Sequence, residues 1–385
     1  MGKRELLLIV CFLIVGAVVY QATAPPAGPN EQGFSFSRIV DHIRREVRGN
    51  RASAETTTKS VLPIDDAITE LRIVERLHEV HITGEERDDV EASLHVSSNA
   101  YTEEEARQFA DQTVLKTDKA ASSLVLRVQF LTGRQTGRQR ATLTVKVPSR
   151  LRIRLEARPG ELTIDNVAEV EATNAGGEAK IRRIAGRAAI THRGGSLIIE
   201  QAATLKLDGR GAEITVADIA GDASVRAEGG FVKARQLAGS IEIESRHSDI
   251  LLDGLEKTRG PIRVNANEGA VTLKGVAVDT RVDSRSTELD ISMSAAAPVA
   301  LYTEGEDIVL TPPPDGYKLD AVVIDGRMLP EPTIDDLGLE RTGGEGDNTE
   351  LRVSGSVEGG GPAITIRARG GDVTLRSREA PSEDK

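Results

Sequence analysis

The chain has 385 residues, 49 of them basic and 60 acidic, for a formal net charge of −11. Aromatic residues make up only 3% and no basic stripe is interleaved with rings, which argues against nucleic-acid binding. Cys11 is the single cysteine, so the chain carries no disulfide framework.

Lys3 and Arg4 precede Leu6–Tyr20, a run of apolar or small residues without a charge, which reads as a secretory signal or a short membrane anchor. Ala22-Thr23-Ala24 matches a small-x-small cleavage pattern, but Pro25 would follow the cut and hinder the peptidase. An uncleaved anchor over residues 1–24, with the main body outside the cytoplasm, is therefore expected; cleavage would make the protein secreted. Arg38, Arg44, Arg45, Arg48 and Arg51 compete with Lys3 and Arg4 under the positive-inside rule, yet large domains translocate largely regardless of charge. Residues 25–61 read as a linker. Within it Phe36, Ile39, Val40, Ile43 and Val47 fall at helical spacing, a short basic amphipathic helix that could lie on a membrane surface. Arg51–Ser60 is polar and expected to lack structure.

Residues 62–150 alternate apolar and polar positions near Leu71–Glu75, Glu79–Thr83, Val90–Val96, Ser122–Phe130 and Ala141–Val147. Thr102-Glu103-Glu104-Glu105 is a capping box, predicting a helix to about Lys116. This stretch is expected to be an N-terminal cap with one helical insertion.

Over residues 151–297 one unit of about eighteen residues recurs. A first apolar column runs Leu155, Ala172, Ile190, Leu207, Val225, Ile243, Val264, Val282. A second runs Ile164, Ile181, Ile199, Val216, Ala234, Leu252, Leu273, Ile291, and a third Ile184, Ala202, Ile219, Leu237, Leu255, Val276. A fixed short period with paired apolar sites marks a solenoid. Gly186, Gly221, Gly239 and Gly260 open coils, and Gly177, Gly195, Gly230 and Gly269 sit midway, all read as corner glycines. Residues 298–376 read as closing strands with a hard turn at Thr311–Gly316 and a loop over Pro330–Asp347; residues 377–385 read as a disordered tail.

No constellation carries chemistry. His78, His81 and His95 read as solvent-facing side chains rather than metal ligands. Arg246-His247-Ser248-Asp249 has the residue types of a hydrolytic triad, but adjacent residues cannot converge as a triad must. Gly209-Arg210-Gly211 does not extend to a dinucleotide fingerprint. The outward column Thr191, Asp208, Arg226, Glu244, Asn265, Asp283 mixes charges without a cluster. No catalytic residue, cofactor or metal ligand is assigned, and the chain is read as non-enzymatic.

Leu143–Pro148 leading into Leu151–Ala157, then Gly160–Asp165, the corners Gly221–Val225, Gly239–Ile243 and Gly269–Leu273, and the closing Gly370–Leu375 carry a resemblance. From about Leu62 to Arg376 the chain resembles the bacterial putative-adhesin family of β-strand-repeat proteins. The resemblance implies an envelope protein with a β-solenoid body, often membrane-associated, with adhesin-like or stress-related roles and no established catalytic residues to carry over. The Glu-rich insertion and the anchor-plus-basic-helix start depart from simpler members.

The expected fold is all-β: a single-chain parallel β-solenoid with a mixed cap containing one helix, preceded by an N-terminal transmembrane helix. The expected function is a membrane-tethered, extracytoplasmic, adhesin-like scaffold or binding protein. Its expected partners are the membrane, through the N-terminal segment, and envelope polysaccharide or another envelope protein. Two alternatives stay open, an envelope-stress sensor acting through a membrane partner and a β-solenoid polysaccharide lyase or hydrolase.

Overall fold

A computed structural model describes residues 52–74, 77–130, 139–155, 160–330, 334, 336–345 and 349–377. The expected anchor, the basic amphipathic helix and the tail from Arg378 lie outside these residues. Among the described residues no helix is long and apolar enough to cross a membrane.

The body is a parallel β-solenoid. Its middle is built from β10 (Glu169–Asn174), β11 (Glu178–Ile219, which runs through more than two coils), β12 (Ala223–Leu237), β13 (Ile241–Asp253), β14 (Ile262–Val276) and β15 (Thr280–Met293). Each coil pairs in register with the next. Leu207 lies opposite Val225, Val225 opposite Ile243, Ile243 opposite Val264 and Val264 opposite Val282. The second column stacks in the same way from Val216 through Ala234, Leu252 and Leu273 to Ile291. Alternation puts these residues inside and their neighbours outside, and the three columns are buried throughout. The longer step before Ile262 is taken up by a 3-10 turn at Leu255–Lys257, whose Leu255 still fills the third column.

The glycines divide into two kinds. Midway in each coil, Gly177, Gly195, Gly230 and Gly269 have φ of 75°, 72°, 97° and 118°, as corners require. The coil-opening glycines differ from expectation: their φ is not positive and they supply closeness alone, whereas the mid-coil four supply both, a Cβ on Gly195 meeting Gly177 O at 2.0 Å. A Cβ on Gly221 would meet Ala203 O at 2.8 Å, and one on Gly186 would meet Ala168 O at 2.9 Å. The second corner uses no glycine for most of its length. Asn166, Arg183, Gln201, Asp218 and Gln236 hold φ between 52° and 60° in successive coils.

Parallel pairing continues through both expected domain boundaries, but out of chain order. At the N-terminal end the strands are β1 (Ala52–Pro63), β2 (Glu70–Ile73), β3 (Glu79–Glu85), β4 (Asp89–Ala100), β5 (Val114–Ala120), β6 (Ser123–Gln129), β7 (Gln139–Pro148), β8 (Arg152–Leu155) and β9 (Glu161–Val167). The coil β2–β3 sits between β6–β7 outside it and β8–β9 inside it, all parallel. Beyond them, β4 pairs antiparallel with β7, β1 with β4, and β5 with β6.

The C-terminal end comprises β16 (Val299–Glu304), β17 (Ile308–Thr311), β18 (Tyr317–Ile324), β19 (Met328–Pro330), β20 (Glu340–Gly343), β21 (Glu350–Val357), β22 (Ala363–Arg369) and β23 (Val373–Leu375). Here the last coil, β22–β23, slots between β16–β17 and β18–β19. Again antiparallel strands finish the stack, β21 on β18 and β20 on β21.

Three local expectations are corrected. Ala52–Ser60, read as unstructured linker, belongs to the twelve-residue β1; Ala52, Ala54, Thr56, Thr58, Ser60 and Leu62 align with the buried face of β4, and small polar residues had hidden the alternation. The helix, α1, spans Glu103–Asp111 and not to Lys116. Thr102 Oγ1 accepts from the Glu105 amide at 3.2 Å as the capping box requires, while Thr113 Oγ1 and Gln139 Nε2 both donate to Phe109 O and end the helix. The loop Pro330–Asp347 contains the strand β20.

Candidate binding face

The outward side chains next to the first buried column form ladders down one face of the solenoid. Asp208, Arg226, Glu244, Asn265 and Asp283 are opposite one another in successive coils, and the ladder continues to Tyr302 and Arg367. A second ladder two residues along holds Arg210, Glu228, Arg246, Asn267, Arg285, Glu304 and Arg369. Parallel in-register stacking brings side chains about 4.8 Å apart, so unlike charges in adjacent coils pair.

Arg226 Nε donates to Glu244 Oε2 at 2.8 Å. Arg210 lies 3.6 Å from Asp208 and 3.5 Å from Glu228. Arg285 reaches Glu304 at 3.0 Å. Arg281 grips Asp283 with two bonds of 2.7 and 2.8 Å, and its guanidinium carbon lies 4.6 Å from the centre of the Tyr302 ring. Glu244 and Asp283 raise the pKa of Arg226 and Arg281 above the usual guanidinium value, chiefly by accepting these bonds. The charged residues that read as an unclustered mixture are thus a ladder of pairs.

Three shallow clefts follow this face. One of about 590 Å³ lies among Arg152, Glu171, Arg187, Lys206 and Asp208. A second of about 390 Å³ is lined by Arg210, Arg226, Glu228, Glu244, Arg246 and Asn267. The third, of about 520 Å³, shares Asn265 and Asn267 with it and runs past Asp283, Arg285 and Tyr302 to Arg367 and Arg369. Chemically the face offers arginines, carboxylates and amides whose charges cancel locally, with one ring at its C-terminal end. Asp208, Glu228, Asp283 and Glu304 each sit within 3.6 Å of an arginine.

Of the other sequence candidates, Arg210 and Arg246 alone reach this face. Among the described residues no group of three His, Cys, Asp or Glu side chains could hold a metal ion. His78 is on the bend before β3, its Nδ1 3.2 Å from Glu79 Oε1, and His95 Nδ1 is 3.0 Å from Thr57 Oγ1. Arg246–Asp249 is a corner: His247 has φ of 52°, Ser248 Oγ donates to Arg246 O, and Asp249 Oδ1 accepts from the Ala270 amide at 3.1 Å.

Sequence reasoning passed over one interior feature. Asn174 and His192 are opposite each other and fully buried, and neither side chain makes a hydrogen bond of good geometry. Burial holds the His192 pKa below its ordinary value, a loosely placed Gly194 backbone group pulling weakly the other way. Its signal was in the period: both residues stand two places after a first-column residue, where alternation points inward.

The family described as Toastrack DUF4097 matches residues 68–321. Among solved structures, a putative cell adhesion protein from Clostridium sporogenes is similar over 84% of this chain and 100% of its own, at 10% identity and a TM-score of 0.19. A putative adhesin from Parabacteroides distasonis is similar over 83% and 97%, at 9% identity and a TM-score of 0.23. No curated protein matches the chain.

Proposed function

The chain belongs to the Toastrack DUF4097 family, and from that premise we propose that it is a non-enzymatic, adhesin-like scaffold, tethered to the membrane by Leu6–Tyr20 with its solenoid outside the cytoplasm. One observation carries the binding role: three clefts lie along a single face, two of them on the ladders that Asp208–Arg367 and Arg210–Arg369 form and the third reaching Asp208. A run of shallow sites lined by charged and amide side chains suits a long ligand that repeats its own chemistry, with weak contacts summed along the chain. Locally cancelled charge and paired arginines and amides suit a hydroxyl-rich polymer such as envelope polysaccharide, whose hydroxyls both donate and accept. The sequence of the first 24 residues supports the tether.

The test uses the full chain in detergent and an array of envelope polysaccharides. Retention of one class of polymer without release of shorter products is expected. Asn265→Ala, Asn267→Ala and Tyr302→Ala together are expected to weaken retention at least tenfold while leaving the melting temperature unchanged. Product release, or retention indifferent to the triple change, would overturn the reading. Protease accessibility in intact cells checks the tether: digestion of the body from the cytoplasmic side only would place it wrongly here.

A further inference from the structure

The ends of the stack leave strand edges, and most are blunted. β5 pairs only with β6 among the described strands, and it carries Lys116, Asp118 and Lys119 in seven residues. β20 is four residues long. Charge and shortness are ordinary protections against edge-to-edge association. β1 has neither. It is twelve residues long, pairs only with β4 among the described strands, and has no proline before Pro63, its last residue. Helix α1 packs on β1 and β4, yet Val61 on the other face is 59% exposed.

We propose that β1 is a self-association edge, on which β1 of a second copy of this chain adds antiparallel about a twofold axis at Thr57. The strand's own sequence argues for this occupant. A twofold axis perpendicular to the sheet keeps every side chain on its face, so only residues of like parity can oppose. Two such registers pair all but one residue of Ala52–Pro63. An axis at Thr58 would engage Pro63, which has no amide hydrogen to give, and would set Glu55 against Val61. An axis at Thr57 leaves Pro63 out and sets Ala52 against Leu62, Ala54 against Ser60, Thr56 against Thr58 and Thr57 against itself. It also places Glu55 opposite Lys59 twice, and these are the only charged side chains in the strand. Opposite charges and Thr–Thr pairs directly across strands are favourable, whereas like charges are not. The register of greatest overlap is therefore the one that the charges select.

The test uses the full chain in detergent with Cys11→Ser, which removes the single native cysteine. On oxidation Thr57→Cys is expected to become mainly a cross-linked dimer, since opposed residues have Cα atoms about 4.5–5.5 Å apart, within disulfide range. Ser53→Cys and Val61→Cys, each alone, are expected not to cross-link, their own copies lying about 27 Å apart; the two proteins mixed are expected to cross-link to each other. By sedimentation, Lys59→Glu is expected to weaken the dimer at least tenfold with an unchanged melting temperature, and adding Glu55→Lys to restore it. The proposal is overturned if Thr57→Cys cross-links no better than Ser53→Cys. It is equally overturned if Lys59→Glu leaves the sedimentation unchanged, as it would be if residues 1–51 or another partner occupied this edge.

Discussion

The middle of the solenoid and its two ends are made of the same coil, yet they differ in how order along the chain maps onto order in space. From Ala172 to Val282 each coil pairs with the one before it and the one after it. At the ends the map is folded back: β2–β3 lies inside β6–β7, and β22–β23 lies inside β18–β19. A coil in the middle is held by neighbours that any stretch of the repeat would supply. A coil at either end is held by a neighbour that only one distant segment supplies, with antiparallel strands beyond it. In a stack stabilised by nearest-neighbour contacts, the middle resists as a unit, while the ends depend on particular long-range pairings.

Leu252→Ala, in the buried second column of the middle, is expected to cost about 3 kcal/mol and to lower the melting temperature of the whole repeat body. Leu319→Ala, in the last parallel strand, is expected instead to speed amide exchange first from Tyr317 to Val357, leaving the middle protected. Exchange that accelerates evenly in both variants would erase the distinction between middle and end.

Within the middle, close approach and positive φ are expected to separate in urea titrations. Gly221→Ala drives a Cβ against Ala203 O of the preceding coil and is expected to cost about 2 kcal/mol. Gly194→Ala, at φ of 70° with open space around it, is expected to cost about 1 kcal/mol. Equal costs would mean that spacing between coils is not what the opening glycines secure.

His192 gives the middle a pH dependence. Its folded pKa is depressed by burial, so the fold holds the neutral ring while the unfolded chain takes up a proton near the ordinary value of 6.5. The stability it contributes is present above that value and lost as pH falls through it towards the folded value. A loss of about 1 kcal/mol between pH 7 and 5.5 is expected. His192→Val should remove that slope without loss at pH 7, because it also removes two unpaired buried nitrogens. A slope that survives the substitution would locate the acid sensitivity elsewhere.

The C-terminal end has a counterpart at lower pH. Asp372, just before β23, accepts from the Arg327 amide at 2.9 Å and from its guanidinium at 2.6 Å, fixing the intercalated coil to the one outside it. Arg327 holds the carboxyl below its ordinary value of 3.8, so the contribution stands above that pH and fades as pH falls through the folded value. Asp372→Asn is expected to cost about 0.5–1 kcal/mol at pH 7, read by urea titration. No change would mean that solvent screens the contact away.

How far the sequence revealed this follows the same division. The columns from Leu155 to Ile291 were legible because neighbours in space were neighbours in period. The parallel partnership of Ile73 with Leu155, or of Leu301 with Ile366, was not, since no fixed step connects them. Tyr302 and Arg367 complete the outward ladder that begins at Asp208, but they lie past the break in the period. β1 escaped notice because Ala, Ser and Thr alternate without changing hydropathy. The left-handed corner at Arg183, Gln201, Asp218 and Gln236 carried no glycine to mark it. The individual residues of the face were visible; their pairing across coils and the clefts along them required the register.

The intercalated final coil has a consequence for how the protein is made. β22–β23 follows β16–β19 in the chain, yet β16 and β18 both wait for it. A nascent chain can zip its coils as far as β17, after which β18–β21 must remain without their inner partner until residue 375 has emerged. A chain stopped before residue 363 would lack both strands of this coil and leave the edge of β16 exposed. The coil thus seals the stack only after every strand it joins has been made.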